Sequence, residues 1–404
     1  MKKHTLASHN INILFWSQFF GTISFIQPVL TLFYMERGLT ESNILVVLMF
    51  WSGGVLLGEV PTGVFADRFG PKASFITGAF VKMASISILF FADNIWLFCL
   101  YSAINGISVT FFSGADEALI YESLKMSDEQ NLMDSAMGKI QSAGFISMIA
   151  AVLFGSYMAR DLQNEQFILL IALGLCFQVV ELIFLFFLKN PTDHHLHYRE
   201  NPFTQVAEGL KAIKKAPQLL VMFLNVTLVF IPAGAVFKNF DQPFLKDAGL
   251  PVGWIGVMYA LSALMGFFAS RSIHLMTKRL SRVFLMNATG LLAVGGLVLA
   301  ASLGEILLTA LGAFFLLTFV RAVRYPIYSQ LSNDLIPSEV RATTISLLSI
   351  LDSVCDLVIF GSLTGLAVLG LPKVFFACAA ITLIGTMLPI RAAAKKSLTE
   401  KAIS

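Results

Sequence analysis

Apolar runs about 20 residues long recur along this chain, and nothing constrains its fold more. Twelve can be drawn, at about residues 11–34, 43–66, 73–92, 95–121, 138–159, 166–188, 217–240, 252–274, 283–302, 306–328, 342–369 and 373–391. A backbone in hydrocarbon must satisfy its own N–H and C=O groups, which leaves helices and closed barrels as spanning structures. Barrel strands would be half as long and would alternate apolar with polar residues, and these runs do neither. The expected fold class is an all-α integral membrane protein with twelve transmembrane helices. Composition agrees: 13% of the residues are charged, against about 25% in soluble domains.

The bases set an orientation. With the N-terminus inside, the cytoplasmic loops hold Lys2, Lys3, Arg68, Lys72, Lys125, Lys139, Lys189 and most of the later bases. The outer loops keep only Arg37, Arg160, Lys238, Lys246 and Lys373. By the positive-inside rule both termini are expected in the cytoplasm, in an inner or plasma membrane. Met1-Lys2-Lys3 starts like a signal peptide, but the apolar run that follows is too long and has no small-residue cleavage site. A retained first helix is expected. The net charge is +3, and no basic face interleaved with aromatics points to nucleic acid. Cys99, Cys176, Cys355 and Cys378 all fall in apolar runs, where they read as small core residues and not as a disulfide framework.

The longest polar segment, Lys189 to Pro217, divides the chain into residues 1–190, a linker at 191–216 and residues 217–404. Val206 to Lys215 has the pattern of an amphipathic interfacial helix. His194, His195 and His197 lack a companion Cys or carboxylate pattern, so a solvated linker is expected there and no metal site. The two sides resemble each other. Ile120-Tyr121-Glu122-Ser123-Leu124 answers Ile327-Tyr328-Ser329-Gln330-Leu331, and Gly38-Leu39-Thr40 answers Gly249-Leu250-Pro251. Weak repetition of this kind marks a duplicated six-helix unit.

Between the second and third runs lies Gly58 to Lys72, GEVPTGVFADRFGPK. Its charges place it at a membrane face, with glycines where helices must approach closely. The stretch resembles the signature loop between helices 2 and 3 of the major facilitator superfamily of secondary transporters. It matches at Gly63, Asp67, Arg68, Gly70 and Lys72, and departs at Pro71, where the family usually has a base. Ser113 to Lys125, SGADEALIYESLK, resembles one branch of bacterial members, the proton-coupled drug exporters. The resemblance implies two pseudo-symmetric six-helix bundles that rock about a midplane site. It also implies a gate in which Arg68 or Lys72 reaches Glu122 or Asp116, while Asp67 faces the start of the eleventh span. Two departures stand against the antiporter branch: the fourth span has no intramembrane Arg, and the fifth has Gly144 and Gly155 without a Gly-Pro pair.

Polar groups inside the runs are the informative ones, since a central charge costs roughly 2.5–3.5 kcal/mol on insertion scales. Asp352 and Asp356 lie deep in the eleventh run and project within about 40° of each other at helical pitch. With Ser346, Ser349 and Ser353 they form a polar stripe. They read either as a proton or cation-substrate site, or as ion-pair partners of Arg321 or Arg324. Lys82 needs a carboxylate, such as Glu59. Asp116 and Glu181 are further candidates for coupling or substrate contact. Gln18, Gln27, Asn105, Gln178 and Asn225 are neutral candidates for a cavity, or for packing between helices.

No phosphate-binding loop and no nucleophile–base pair is present, so no enzyme activity and no cofactor are expected. The expected function is secondary active transport of a small, partly apolar organic molecule, as proton-coupled efflux by a monomer in a lipid bilayer. Uptake or facilitated movement of a polar metabolite is the alternative, and a non-transporting receptor or scaffold the alternative of another class.

Overall fold

The computed structural model describes residues 5–129, 132–191, 217–335 and 341–390, without the side chains at 134, 332–335 and 341–346. The linker histidines and the side chain of Ser346 therefore lie outside the described residues. The first span is broken. Helix α1 (Leu6–Thr22) starts on Thr5, whose hydroxyl accepts the Ser8 N–H, and stops before Pro28. Proline has no N–H to donate and its ring clashes with the carbonyl four residues back, so the helix cannot run through. A 3-10 turn at Gln27–Val29 and helix α2 (Leu30–Glu36) complete the span.

The second and third spans are α3 (Glu41–Phe69), opened by a Thr40–Asn43 capping box, and α4 (Pro71–Ile88). The fourth combines α5 (Ile95–Thr110), capped by Asn94, with α6 (Ala115–Met126) beyond a left-handed Gly114. The fifth and sixth are α7 (Met133–Met158) and α8 (Asn164–Phe186). The seventh joins α9 (Pro217–Phe230) to α10 (Phe237–Asp247) through a π-helical turn, Ile231–Val236, that contains Pro232. Then come α11 (Val252–Arg279), α12 (Arg282–Leu303), α13 (Leu307–Leu335), α14 (Arg341–Ala367) and α15 (Leu371–Met387).

Among the described residues, ten helical stretches are long and apolar enough to cross a membrane, and the shorter α4 and α15, of 18 and 17 residues, stand where the other two spans were expected. Among the described residues there is no strand. The fold is all-α and multi-pass. Leu57, Phe91, Leu308 and Val368 are 74% to 79% exposed, a burden that water would penalise and lipid does not. The repeated Gly38 and Gly249 have the same geometry. Both adopt positive φ, at 85° and 96°, and in both turns the following leucine N–H closes back on the helix, Leu39 onto Tyr34 and Leu250 onto Leu245.

The chain packs as two compact units. The first comprises Met1–Arg199, Asn239–Ala263 and Ser353–Leu371; the second comprises Glu200–Lys238, Leu264–Asp352 and Pro372–Ser404. Within the first, α3 and α5 come close enough that a Cβ on Gly54 would lie 2.2 Å from the Ala103 carbonyl oxygen. Also within it, α10 is tied to the broken first span. Gln242 donates to the Gln27 carbonyl at 3.0 Å and accepts the Thr31 N–H at 2.9 Å, while the Thr31 hydroxyl donates to the Asn239 carbonyl at 2.6 Å. The apolar pattern ends the seventh span near residue 240; the helix continues to Asp247, with Asp241 and Gln242 buried. The core of the second unit gathers Met222, Phe223, Leu285, Met286, Val323 and Leu347.

Candidate functional site

The break in the first span lines a cavity of about 170 Å³ inside the first unit. Irregular backbone at membrane depth is tolerated where protein or a cavity receives its polar groups, and here both do. Polar lining includes Gln27, Lys82, Tyr101, Asn105 and Gln178, and apolar lining includes Phe25, Ile86 and Leu170. The Lys82 ammonium donates to the Gly21 carbonyl at 2.6 Å and lies 3.2 Å from Glu181 Oε2. Glu181 is 4% exposed, and it occupies the space a side chain at position 21 would need: a Cβ there would sit 2.1 Å from Glu181 Oε1.

This pair corrects the expectation that Glu59 neutralises Lys82. The sequence shows that a buried ammonium needs a carboxylate but not which helix faces it, and α4 packs along α8. Three residues before Glu181, Gln178 is 2% exposed and its Oε1 has no hydrogen-bond partner among the described residues. Asn105, also in the lining, donates to the Ser85 hydroxyl at 3.3 Å. The structure thus brings Gln27, Asn105 and Gln178 together, with Glu181 behind Lys82. It leaves Gln18 outside this group, exposed and donating to Thr22 at 3.1 Å.

A hydroxyl donates to each of the α14 acids. Thr227 donates to Asp352 at 3.0 Å, and Ser52 to Asp356 at 3.0 Å. The division between the compact units falls after Asp352. Arg324 does not supply the ion pair that sequence spacing allows. It is 1% exposed and donates to the carbonyls of Met286 and Asn225, to the Asn225 side-chain oxygen and to the Thr289 hydroxyl. No carboxylate among the described residues is within ion-pair distance, because α13 turns this face toward α9 and α12. Asn225, a cavity candidate by sequence, is instead the acceptor that accommodates this cation, and its own amide donates to the Leu388 carbonyl at 3.1 Å. Arg321 runs past Gly234 of the π turn, where a Cβ would meet its Cδ at 3.7 Å.

The Gly63–Lys72 stretch is hardly a loop. Asp67 and Arg68 lie exposed in the last turn of α3, Gly70 alone forms the joint at φ 86°, and Pro71 is the first residue of α4. Proline is preorganised for that position, and only glycine takes that φ without strain. Gly63 corrects the idea of a close-approach glycine, since a Cβ there would meet nothing within 4 Å. Arg68 stacks on Phe69 at 5.4 Å, and Lys72 donates to the Phe186 carbonyl at the end of α8 at 2.7 Å. Glu122 is 3.8 Å from Lys125, and the Asp116 carboxylate accepts the Glu117 N–H at 2.8 Å in the first turn of α6. The side chains at the start of α14, where Asp67 was expected to face, lie outside the described residues.

Sequence reasoning missed Asp241 and Gln242, which it placed beyond the seventh span. Asp241 accepts the Tyr259 hydroxyl, and Gln242 clamps the helix break. The signal was present: an Asp-Gln pair directly before Pro243 in a segment continuing a helical run.

The family profile described as Major Facilitator Superfamily matches residues 13–359. An uncharacterized MFS-type transporter, YxaM of Bacillus subtilis (strain 168), is 24% identical over 351 residues, covering 82% of this chain and 83% of the relative. Multidrug resistance protein MdtH of Proteus mirabilis (strain HI4320) is 25% identical over 239 residues, 56% of this chain and 55% of that protein. Among solved structures, the nucleoside transporter NupG superposes with a TM-score of 0.70 at 14% identity, over 95% of this chain and 98% of that one.

Proposed function

Because this chain belongs to the major facilitator superfamily, and so is a secondary transporter of small molecules, we propose that it exports a small, partly apolar organic compound in exchange for protons. The observation that carries the coupling is Asp352, a carboxylate within an apolar span whose described partner is the Thr227 hydroxyl. A carboxylate bonded to a hydroxyl takes up a proton without stranding a buried cation, whereas protonating one half of a buried ion pair leaves its partner uncompensated. Asp356, which accepts from Ser52 among its contacts, is a second acid of the same helix. Export is favoured by the likeness to a protein named for multidrug resistance and by the Ser113–Lys125 stretch.

The two sequence halves, 1–190 and 217–404, move as bundles joined by the 191–216 linker. Both termini lie in the cytoplasm of a cell bounded by this inner or plasma membrane, and the protein works as a monomer. The Asp67–Lys72 segment then gates the cytoplasmic face. In that closed state Lys72 leaves the Phe186 carbonyl and, with Arg68, meets Glu122 or Asp116. Purified protein in proteoliposomes tests this reading. An imposed pH gradient drives substrate against its concentration gradient in the exporting direction, and flux indifferent to the gradient removes proton coupling.

A further inference from the structure

The cavity beside the helix break is a complementary set of hydrogen-bonding groups with an unmet demand. An ammonium has three donors. Those of Lys82 are directed at the Gly21 carbonyl and at Glu181, which leaves one for an acceptor in the cavity it lines. Gln178, which lines the same cavity, has its Oε1 buried without a donor among the described residues. Leaving such an acceptor empty costs about 1–3 kcal/mol, which a ligand or water carrying a donor recovers. Gly174, one helical turn before Gln178, is buried and lines the same space, and a Cβ there would meet nothing within 4 Å. Phe25, Ile86, Leu89 and Leu170 add apolar lining.

Charge narrows the occupant. Lys82 and Glu181 neutralise each other, so the site is already balanced. A charged ligand would add an uncompensated charge at membrane depth, which is strongly unfavourable. Size narrows it further: 170 Å³ compares with the roughly 150 Å³ apolar cavity that holds benzene.

We propose that this cavity binds an uncharged amphipathic molecule about the size of a substituted benzene ring. At one end the ligand carries an acceptor for Lys82 and a donor for Gln178, as a primary aromatic amide does. Its ring lies against Phe25, Ile86 and Leu170. The site lies within the first compact unit, and its wall at Gln27 is the segment clamped by Gln242. The inference goes beyond the transport reading and assigns no cargo. Equilibrium binding tests it without flux, so failure of proton coupling and failure of this site are read separately.

The test uses the full chain in lipid nanodiscs and equilibrium dialysis with labelled benzamide, benzoate and benzylammonium. Benzamide should bind saturably, and both charged probes at least about tenfold more weakly. Gln178→Met, nearly isosteric, should weaken benzamide roughly tenfold through loss of one hydrogen bond. Gly174→Leu should fill the cavity and abolish binding, while Gly312→Leu, on an open face of α13, should leave it unchanged. Absence of saturable benzamide binding, undiminished binding in both Gln178→Met and Gly174→Leu, or benzoate binding as tight as benzamide would each overturn the proposal.

Discussion

The Lys82 ammonium lies 3.2 Å from the Glu181 carboxylate and joins α4 to α8 in the middle of a chain otherwise suited to hydrocarbon. Breaking a buried pair from one side strands the other charge and costs about 3–5 kcal/mol. Lys82 is partly exposed, with 21% of its side chain accessible, so Lys82→Met is expected near the lower end of that range. Lys82→Met combined with Glu181→Leu should recover most of the loss, because it removes both charges. Denaturation of the purified variants in detergent measures it, and additive losses would contradict the pairing.

Gly21→Ala places a methyl where Glu181 Oε1 now sits. The carboxylate is the end of a flexible side chain, so it should swing off Lys82 while the helices stay in place. The expected loss is about 1–3 kcal/mol. Added to Glu181→Leu, which removes the obstructing atoms, the same substitution should cost much less.

Glycines of α3 should differ sharply. Gly54→Ala drives a Cβ into the backbone of α5, which cannot move aside alone, and should lower thermal stability by several degrees or prevent folding. Gly63→Ala meets open space and should be neutral or stabilise by up to about 1 kcal/mol through helix propensity. A large stability loss at Gly63 would contradict the exposed placement of this segment.

Gln242→Leu removes the acceptor of the Thr31 N–H and the donor to the Gln27 carbonyl. The buried Thr31 N–H loses its partner, at about 1–3 kcal/mol, and the carbonyl of the more exposed Gln27 loses its donor. The variant should be less stable, and a cysteine at Thr31 should react faster with a water-soluble maleimide than in the parent. Unchanged labelling would show that Gln242 does not hold this segment.

The span pattern was legible because a hydrocarbon solvent demands uninterrupted apolar length, and the Asp67–Lys72 match pointed to the family from a few residues. Partner choice was not legible. Lys82 announces a need for a carboxylate, but whether Glu59 or Glu181 answers depends on how α4 is rotated. Arg324 likewise finds Asn225 and carbonyls through packing of α13 on α9 and α12, which no spacing within one helix reveals. Gln178 and Asn105 were recognisable as polar groups in apolar runs. That they share one cavity depends on how α5 and α8 are rotated, which no spacing within one helix reveals. Gln242 escaped because apolar periodicity ends before the helix does.

The central claim is that Asp352 carries the coupled proton. Asp352→Asn keeps a partner for Thr227 but cannot titrate. In proteoliposomes the variant should still exchange labelled for unlabelled substrate at near-parental rates, while losing at least about 90% of the accumulation driven by an imposed pH gradient, the loss expected when the coupled proton's carrier is removed. Gradient-driven accumulation equal to that of the parent would contradict the account.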